Sequence, residues 1–266
     1  MKYRKNYLKV IFQLKFDPIL ELQNSEPVQF KNKIKEQFPH LKLGRRITIK
    51  AEIKGLNGKE EKSKTPMTIE EIQRIWTFSD KDNIVLVSVS ANDFTLEYNK
   101  YQDISTMDRD FDFLWSQFQT IYNVGILSRV GLRYINQINF STGDPLDWKG
   151  YISSDIIKAV LGITVPDKHR LGRSTNTIFW LGDDHRIKFQ FGIHNREFPN
   201  PIAKKEFILD YDCFSIDPVD ASEARKHLKY YNELIGNAFE QSIDKKLRKE
   251  MEPIGTQSIL MLKESQ

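Results

Sequence analysis

The chain has 266 residues and a mass of 31.3 kDa, of which 39% are hydrophobic, 12% aromatic and 29% charged. That composition supports a substantial core under a charged surface, while no apolar run nears the ~18 residues that a bilayer-crossing helix needs. The lone cysteine, Cys213, excludes an internal disulfide and a cysteine-based zinc site, and the formal charge of +4 is only mildly basic.

The start, residues 1–5, is basic, but no apolar stretch or small-residue cleavage site follows it. A secretory leader is therefore not expected, and the cytoplasm is the expected address. Leu8, Val10, Phe12, Leu14 and Phe16 alternate with Lys9, Gln13 and Lys15, the period-two pattern of a half-buried strand. Ser25 offers an N-cap before Pro27 for a short helix carrying Val28, Phe30, Ile34 and Phe38, which Pro39 stops. Strands are predicted at 47–53, 72–78, 84–90 and 94–98, separated by a Gly/Asn/Lys-rich loop at 55–66 and by short Asp/Asn turns that suit antiparallel hairpins. A helix begins near Ser105, with Asp108 as capping-box partner and Phe111, Leu114, Trp115, Phe118, Ile121 and Tyr122 as its apolar stripe.

The order then recurs. A strand at 129–140 carries Val130, Leu132, Tyr134, Ile138 and Phe140 on one face, followed by a turn rich in Gly, Asp and Pro. Ser153 caps a short helix that Gly162 ends; strands are predicted at 177–181, 186–193 and 206–214. A long final helix is predicted from Asp217 and Pro218 through Ala224, Leu228, Tyr231, Ile235, Ala238 and Phe239 to about Glu250, with a short edge strand at 258–262.

The fold class is thus α+β, in two related halves, 1–126 and 127–266. Each half runs strand, short helix, antiparallel strands, long helix. The expectation is one continuous curved antiparallel sheet with helices on one face, since its apolar side must be covered; two independent α+β halves are the alternative. The TATA-binding-protein saddle has the same element order, an analogy of fold that carries no function.

Chemistry-bearing motifs are few. Neither GxGxxG nor a Walker-type Gly-Lys-Ser/Thr occurs, so no nucleotide cofactor is expected. The histidines, His40, His169, His185, His194 and His227, have no metal-ligand spacing; His185 and His194 sit at opposite ends of one strand, roughly 30 Å apart. Glu206, Asp210 and Asp212 share one face of the 206–214 strand and are the candidate catalytic residues, for acid/base work or a divalent ion. The other reading is a charged solvent face paired with Arg186, Lys188 and Gln190 of the neighbouring strand. Cys213 points to the apolar side, where a free cysteine is a packing residue.

The polar side of the 129–140 strand presents Arg129, Gly131, Arg133, Ile135, Gln137 and Asn139. Together with Lys9, Gln13, Lys15, Arg186, Lys188 and Gln190 it is expected to make a basic, amide-rich sheet surface, in which Arg129, Arg133, Gln137 and Lys188 are the candidate ligand-binding residues, because arginine forks and amides grip phosphates and base edges. A second basic feature is the segment 31–64, with eleven Lys/Arg against four Glu, a local +7.

The run Arg129-Val130-Gly131-Leu132-Arg133-Tyr134-Ile135-Asn136 is similar to the central signature of a sporadically distributed prokaryotic family of about this length, for whose members no activity is established. The strand Leu209-Asp210-Tyr211-Asp212 ahead of a long helix fits that family's layout. The resemblance spans nearly the whole chain and implies a prokaryotic cytoplasmic protein, patchily inherited, in a mobile or defence-associated gene context. It carries no catalytic residue. Three functions stand as expectations: a non-enzymatic binding or accessory protein taking an anionic partner such as nucleic acid; a metal-dependent hydrolase or nuclease; and a protein-interaction subunit or homodimer joined by a sheet edge or the final helix.

Overall fold

A computed structural model describes residues 8–51 and 67–252 of the chain; the predicted loop at 55–66 and edge strand at 258–262 lie outside them. The first run of elements is β1 (Leu8–Phe16), α1 (Leu20–Asn24), α2 (Val28–Ile34), β2 (His40–Ala51), β3 (Met67–Ser79), β4 (Val85–Val89), β5 (Asp93–Tyr98) and α3 (Ile104–Tyr122). The second is β6 (Ile126–Phe140), α4 (Ser154–Leu161), β7 (Ser174–Leu181), β8 (His185–Ile193), β9 (Lys205–Ser215), the two-residue β10 (Val219–Asp220), α5 (Ala224–Ser242) and α6 (Lys245–Met251).

The expectation of one continuous antiparallel sheet holds. Its order is β2-β3-β4-β5-β1-β6-β9-β8-β7, with β10 appended to β6, and it is open, ending at β2 and β7. The first strand of each run lies at the centre, where Val10 faces Tyr134 and Phe12 faces Leu132 across the β1–β6 pair. The last long strand of each run folds back beside the first, β5 on β1 and β9 on β6. The second run supplies three further long strands where the first supplies four.

Period-two alternation decides which side is covered. Val10, Phe12, Leu14, Val130, Leu132, Leu209 and Tyr211 join one buried cluster with Leu22, Phe30, Phe111, Phe118, Val160, Leu228, Ile235 and Leu247. Those last eight come from α1 to α6, the six α-helices among the described residues, which therefore cover one side of the sheet. Each buried Leu or Phe contributes about 1.5–3 kcal/mol of transfer free energy, which favours this single layered arrangement over exposed strand faces.

Several local details differ from expectation. Ser25 does not cap α2: its N–H and hydroxyl turn back to the Glu21 carbonyl at the end of α1, and Pro27 precedes α2 without a side-chain cap. Burial of Leu22 makes 20–24 a helical turn of its own. β2 starts at His40, seven residues before the predicted 47. The final helix starts later than Asp217, because Val219 and Asp220 first pair with Leu127 and Ile126 of β6; Asp220 then accepts the Ser222 N–H and caps a 3-10 turn. The helix also breaks at Ile243, which bridges to Ile152, and Asp244 caps α6.

Asp103, not a Ser105–Asp108 box, caps α3 by accepting the Thr106 N–H at 3.0 Å. Asp108 instead faces α5, where Arg225 donates Nε and Nη2 to its two oxygens at 2.7 and 2.9 Å, and Lys229 lies 3.3 Å away. Hydrogen bonding by Arg225 holds the Asp108 carboxyl below its ordinary 3.8. A depressed folded-state pKa stabilises above the ordinary value, and that contribution is lost as pH falls through the depressed one. Asp108→Asn is expected to cost at most about 1 kcal/mol at neutral pH, since Arg225 is half exposed. In urea midpoints measured against pH, the gap between wild type and variant should close as pH drops below 3.8.

Candidate functional site on the open face of the sheet

The side of the sheet away from the helices carries the candidate ligand-binding and catalytic residues of the sequence reading. Across the centre, one row reads Glu97, Ile11, Arg133, Asp212, Lys188 and Phe179, and the next reads Lys9, Ile135, Asp210 and Gln190. Gln137 faces Ile208, and Asn139 faces Glu206, further along β6 and β9. The candidate ligand-binding residues Arg129, Arg133, Gln137 and Lys188 and the candidate catalytic residues Glu206, Asp210 and Asp212 therefore share one surface. Strand parity alone brings them there.

The two sets are not independent, because they bind each other. Arg133 donates Nε to Asp210 Oδ1 at 2.9 Å and Nη2 to Asp210 Oδ2 at 2.6 Å, a two-pronged fork. Arg129 donates Nη2 to both oxygens of Asp212 at 3.0 and 3.1 Å and Nη1 to Gln13 Oε1 at 3.2 Å. Hydrogen bonding to Asp210 pushes the Arg133 pKa above its ordinary value, against the opposing effect of burial. The sequence expectation that β8 supplies the partners of these carboxylates is corrected here: they come from β6. Lys188 and Gln190 stand opposite Asp212 and Asp210 in register, but the planar arginine forks reach the carboxylates with better geometry. Arg186 turns to the Gly182 and His185 carbonyls of its own hairpin. Glu206 lies apart, its nearest cation being Arg196 at 4.0 Å.

Gly131 explains how Arg129 reaches Asp212. A Cβ on Gly131 would lie 2.2 Å from Arg129 Nη1 and 2.7 Å from Cζ. Without one, the guanidinium lies flat over the sheet, 4.7 Å from the centre of the Phe214 ring. The Arg-Val-Gly-Leu-Arg spacing thus places two extended guanidinium groups along β6 with a gap between them.

Two depressions adjoin on this surface. One, of about 280 Å³, is lined by Ile11, Gln13, Arg46, Thr95, Glu97, Arg129, Gly131, Arg133 and Asp212. The other, of about 410 Å³, is lined by Arg133, Ile135, Arg173, Thr175, Gln190, His194, Ile208 and Asp210, with Phe191 and Gly192. Arg133 is common to both. Arg173 was not foreseen, and Arg46 was noted only as part of the basic segment 31–64. Arg46 comes from the edge strand β2 to a 2.6 Å ion pair with the buried Asp93 of β5. Arg173 precedes β7, stacks 4.9 Å over Phe198 and donates Nε to the His194 carbonyl at 2.8 Å. Both come from parts of the chain far from β6, and no local pattern places either of them beside it.

The described residues of the basic segment 31–64 are spread over different surfaces. Among its described residues, Lys31 pairs with Glu26 on α2, Arg46 joins the open face, and Arg45 is exposed on the neighbouring position of β2, which points to the other face. Residues 52–64 lie outside the described part.

Chemically, the carboxylates of this surface are engaged by its arginines. Asp210 and Asp212 have their oxygens committed to guanidinium donors, so general-base work or a divalent ion would have to displace an arginine fork. Cys213 is buried on the other side, and burial pushes its thiol up, away from the reactive thiolate. Among the described residues, no group of three or more His, Cys, Asp and Glu side chains is placed to hold a metal ion. No helix among them is long and apolar enough to cross a membrane. Neither a scan against protein-family models nor a search of curated proteins finds a match for this chain.

Proposed function

We propose that the protein is a non-enzymatic binding or accessory protein whose open sheet face takes a phosphate-bearing anionic partner, nucleic acid first among them. The observation that carries this is the placement of Arg129 and Arg133 in mid-sheet, each already held in an extended pose by a carboxylate. A guanidinium ordered before binding loses less side-chain entropy when a phosphate arrives. Arg46 and Arg173 flank the pair in the two depressions, and Lys188 stands in the same row with no ion pair among the described residues. Asp210 and Asp212 compete with the ligand for the same guanidinium groups, so affinity should be modest and strongly dependent on salt.

The test is a fluorescence-anisotropy titration against single- and double-stranded DNA and RNA at low and near-physiological salt. Binding that weakens steeply as salt rises is expected. In the Arg129→Ala/Arg133→Ala double variant, affinity should fall for every sequence, and the log–log salt slope should lessen by about 2. No binding at low salt, or a double variant that binds like wild type, would remove this face from the account.

A further inference from the structure

The two edges of the sheet are guarded differently. β2 carries Lys42, Arg45 and Arg46 and a register break between Thr48 and Ile49. Charges and irregularities of this kind are what keep an edge strand from pairing with another chain. β7 has neither. Its sequence, Ser-Thr-Asn-Thr-Ile-Phe-Trp-Leu, contains no charged residue and no proline, and its ladder to β8 runs unbroken from Ser174 opposite Ile193 to Leu181 opposite Arg186. Its outer edge pairs with no strand among the described residues. The apolar half is exposed: Ile178 at 42%, Phe179 at 54%, Trp180 at 39% and Leu181 at 73%.

We propose that β7 pairs edge to edge with β7 of a second copy of this chain, antiparallel about a two-fold axis through Phe179. In that register Phe179 meets its own symmetry mate on the open face. Ile178 lies across from the partner's Trp180 on the helix side, and Leu181 from the partner's Thr177. Aromatic and β-branched cross-strand pairs of this type are the stabilising ones. A slip of two residues in one direction would set Trp180 against Asn176, and a slip of one would turn the apolar set to the wrong faces. The apolar half of the strand is thus complementary to itself, here or two residues along, where Trp180 would meet its own mate and Phe179 the partner's Leu181, and this is the reason to assign the place to a second copy. A closed two-fold pair also uses up both edges and stops there.

The size of the contact sets the strength. Taking roughly 200 Å² for a large side chain, the four residues present about 400 Å² of apolar surface per copy, or about 800 Å² in the pair before the backbone edge is counted. That is below the roughly 1,200 Å² of a standard specific interface and is the size of a weak, transient one, so dissociation in the range of tens of micromolar is expected. The pairing involves β7 alone and needs no anion, so its failure and that of the proposed anion site are separable.

The test is sedimentation of the full chain, without nucleic acid, over about 1–200 µM, a range that brackets a micromolar equilibrium. The mass should rise from 31.3 kDa toward twice that value. Phe179→Lys should stay at the monomer mass throughout, with an unchanged far-ultraviolet circular dichroism spectrum. Phe179→Cys adds an exposed thiol beside the buried Cys213, and mild oxidation should join two copies through it. A wild-type chain that stays monomeric at the highest concentration overturns the proposal. So does a dimer that survives Phe179→Lys, or one in which the cysteine at that position does not cross-link.

Discussion

Replacing Asp210 with alanine is expected to lower stability by about 2 kcal/mol and to tighten anion binding roughly tenfold. Asp210 is buried and accepts two short bonds from Arg133, at 2.9 and 2.6 Å. Losing both charge-assisted bonds would cost about 3–5 kcal/mol if the arginine were sealed from water. The Arg133 side chain is 42% exposed, so water can re-solvate it, and the smaller figure applies. The binding effect has the opposite sign. On the proposed function, Asp210 is the charge that an incoming phosphate would have to displace from Arg133, and its removal would leave that guanidinium and the two depressions it lines to the ligand. Asp210→Asn retains one acceptor oxygen and should cost less stability while still tightening binding. Urea unfolding and anisotropy titration on the same preparations measure the two effects. A hydrolase using Asp210 as base or metal ligand would behave differently: both variants would abolish a divalent-dependent activity and leave anion affinity no better.

Phe118→Ala is expected to be the most damaging single truncation, at about 3–5 kcal/mol. Phe118 is fully buried on α3 and packs against Phe16 of β1, Phe30 of α2, Phe94 of β5, and Trp115 and Tyr122 of its own helix, at ring separations of 4.6 to 5.7 Å. Three elements lose their common contact at once, and a rigid aromatic lining collapses poorly into the cavity. The thermal or urea midpoint should drop sharply. Anion affinity measured below that midpoint should stay near wild type, because Phe118 lies on the opposite side of the sheet from Arg129 and Arg133. A loss under 1 kcal/mol would mean that α2 and β5 are held by something other than this cluster.

Most of the fold was legible because alternation and helical stripes are local. Leu8 to Phe16, the stripe from Phe111 to Phe118 and the stripe from Leu228 to Phe239 are each set by side chains a few residues apart. The caps were the weaker part. Ser25 and Asp108 each had the right type and spacing for a capping role, but Asp108 gains more from the Arg225 fork, and Ser25 closes α1. The start of α5 was misplaced because the Val219–Asp220 pairing with β6 is a long-range contact. Parity correctly put Arg129, Arg133, Gln137, Lys188, Glu206, Asp210 and Asp212 on polar faces. It could not show that the arginines and the aspartates were partners.

The sequence by itself therefore determined the α+β class, the periods of the elements, the side of each central strand that faces water, and the residue types displayed there. These depend on covalent neighbours and on the fixed repeats of strand and helix. Only the tertiary structure decided that β6 lies between β1 and β9, that Arg129 crosses Gly131 to reach Asp212, that Arg46 and Arg173 arrive from distant segments, and that β7 ends the sheet among the described residues. Strand order is set by which set of apolar faces can be buried together under six helices, a property of the whole chain. Which charge meets which follows from that order.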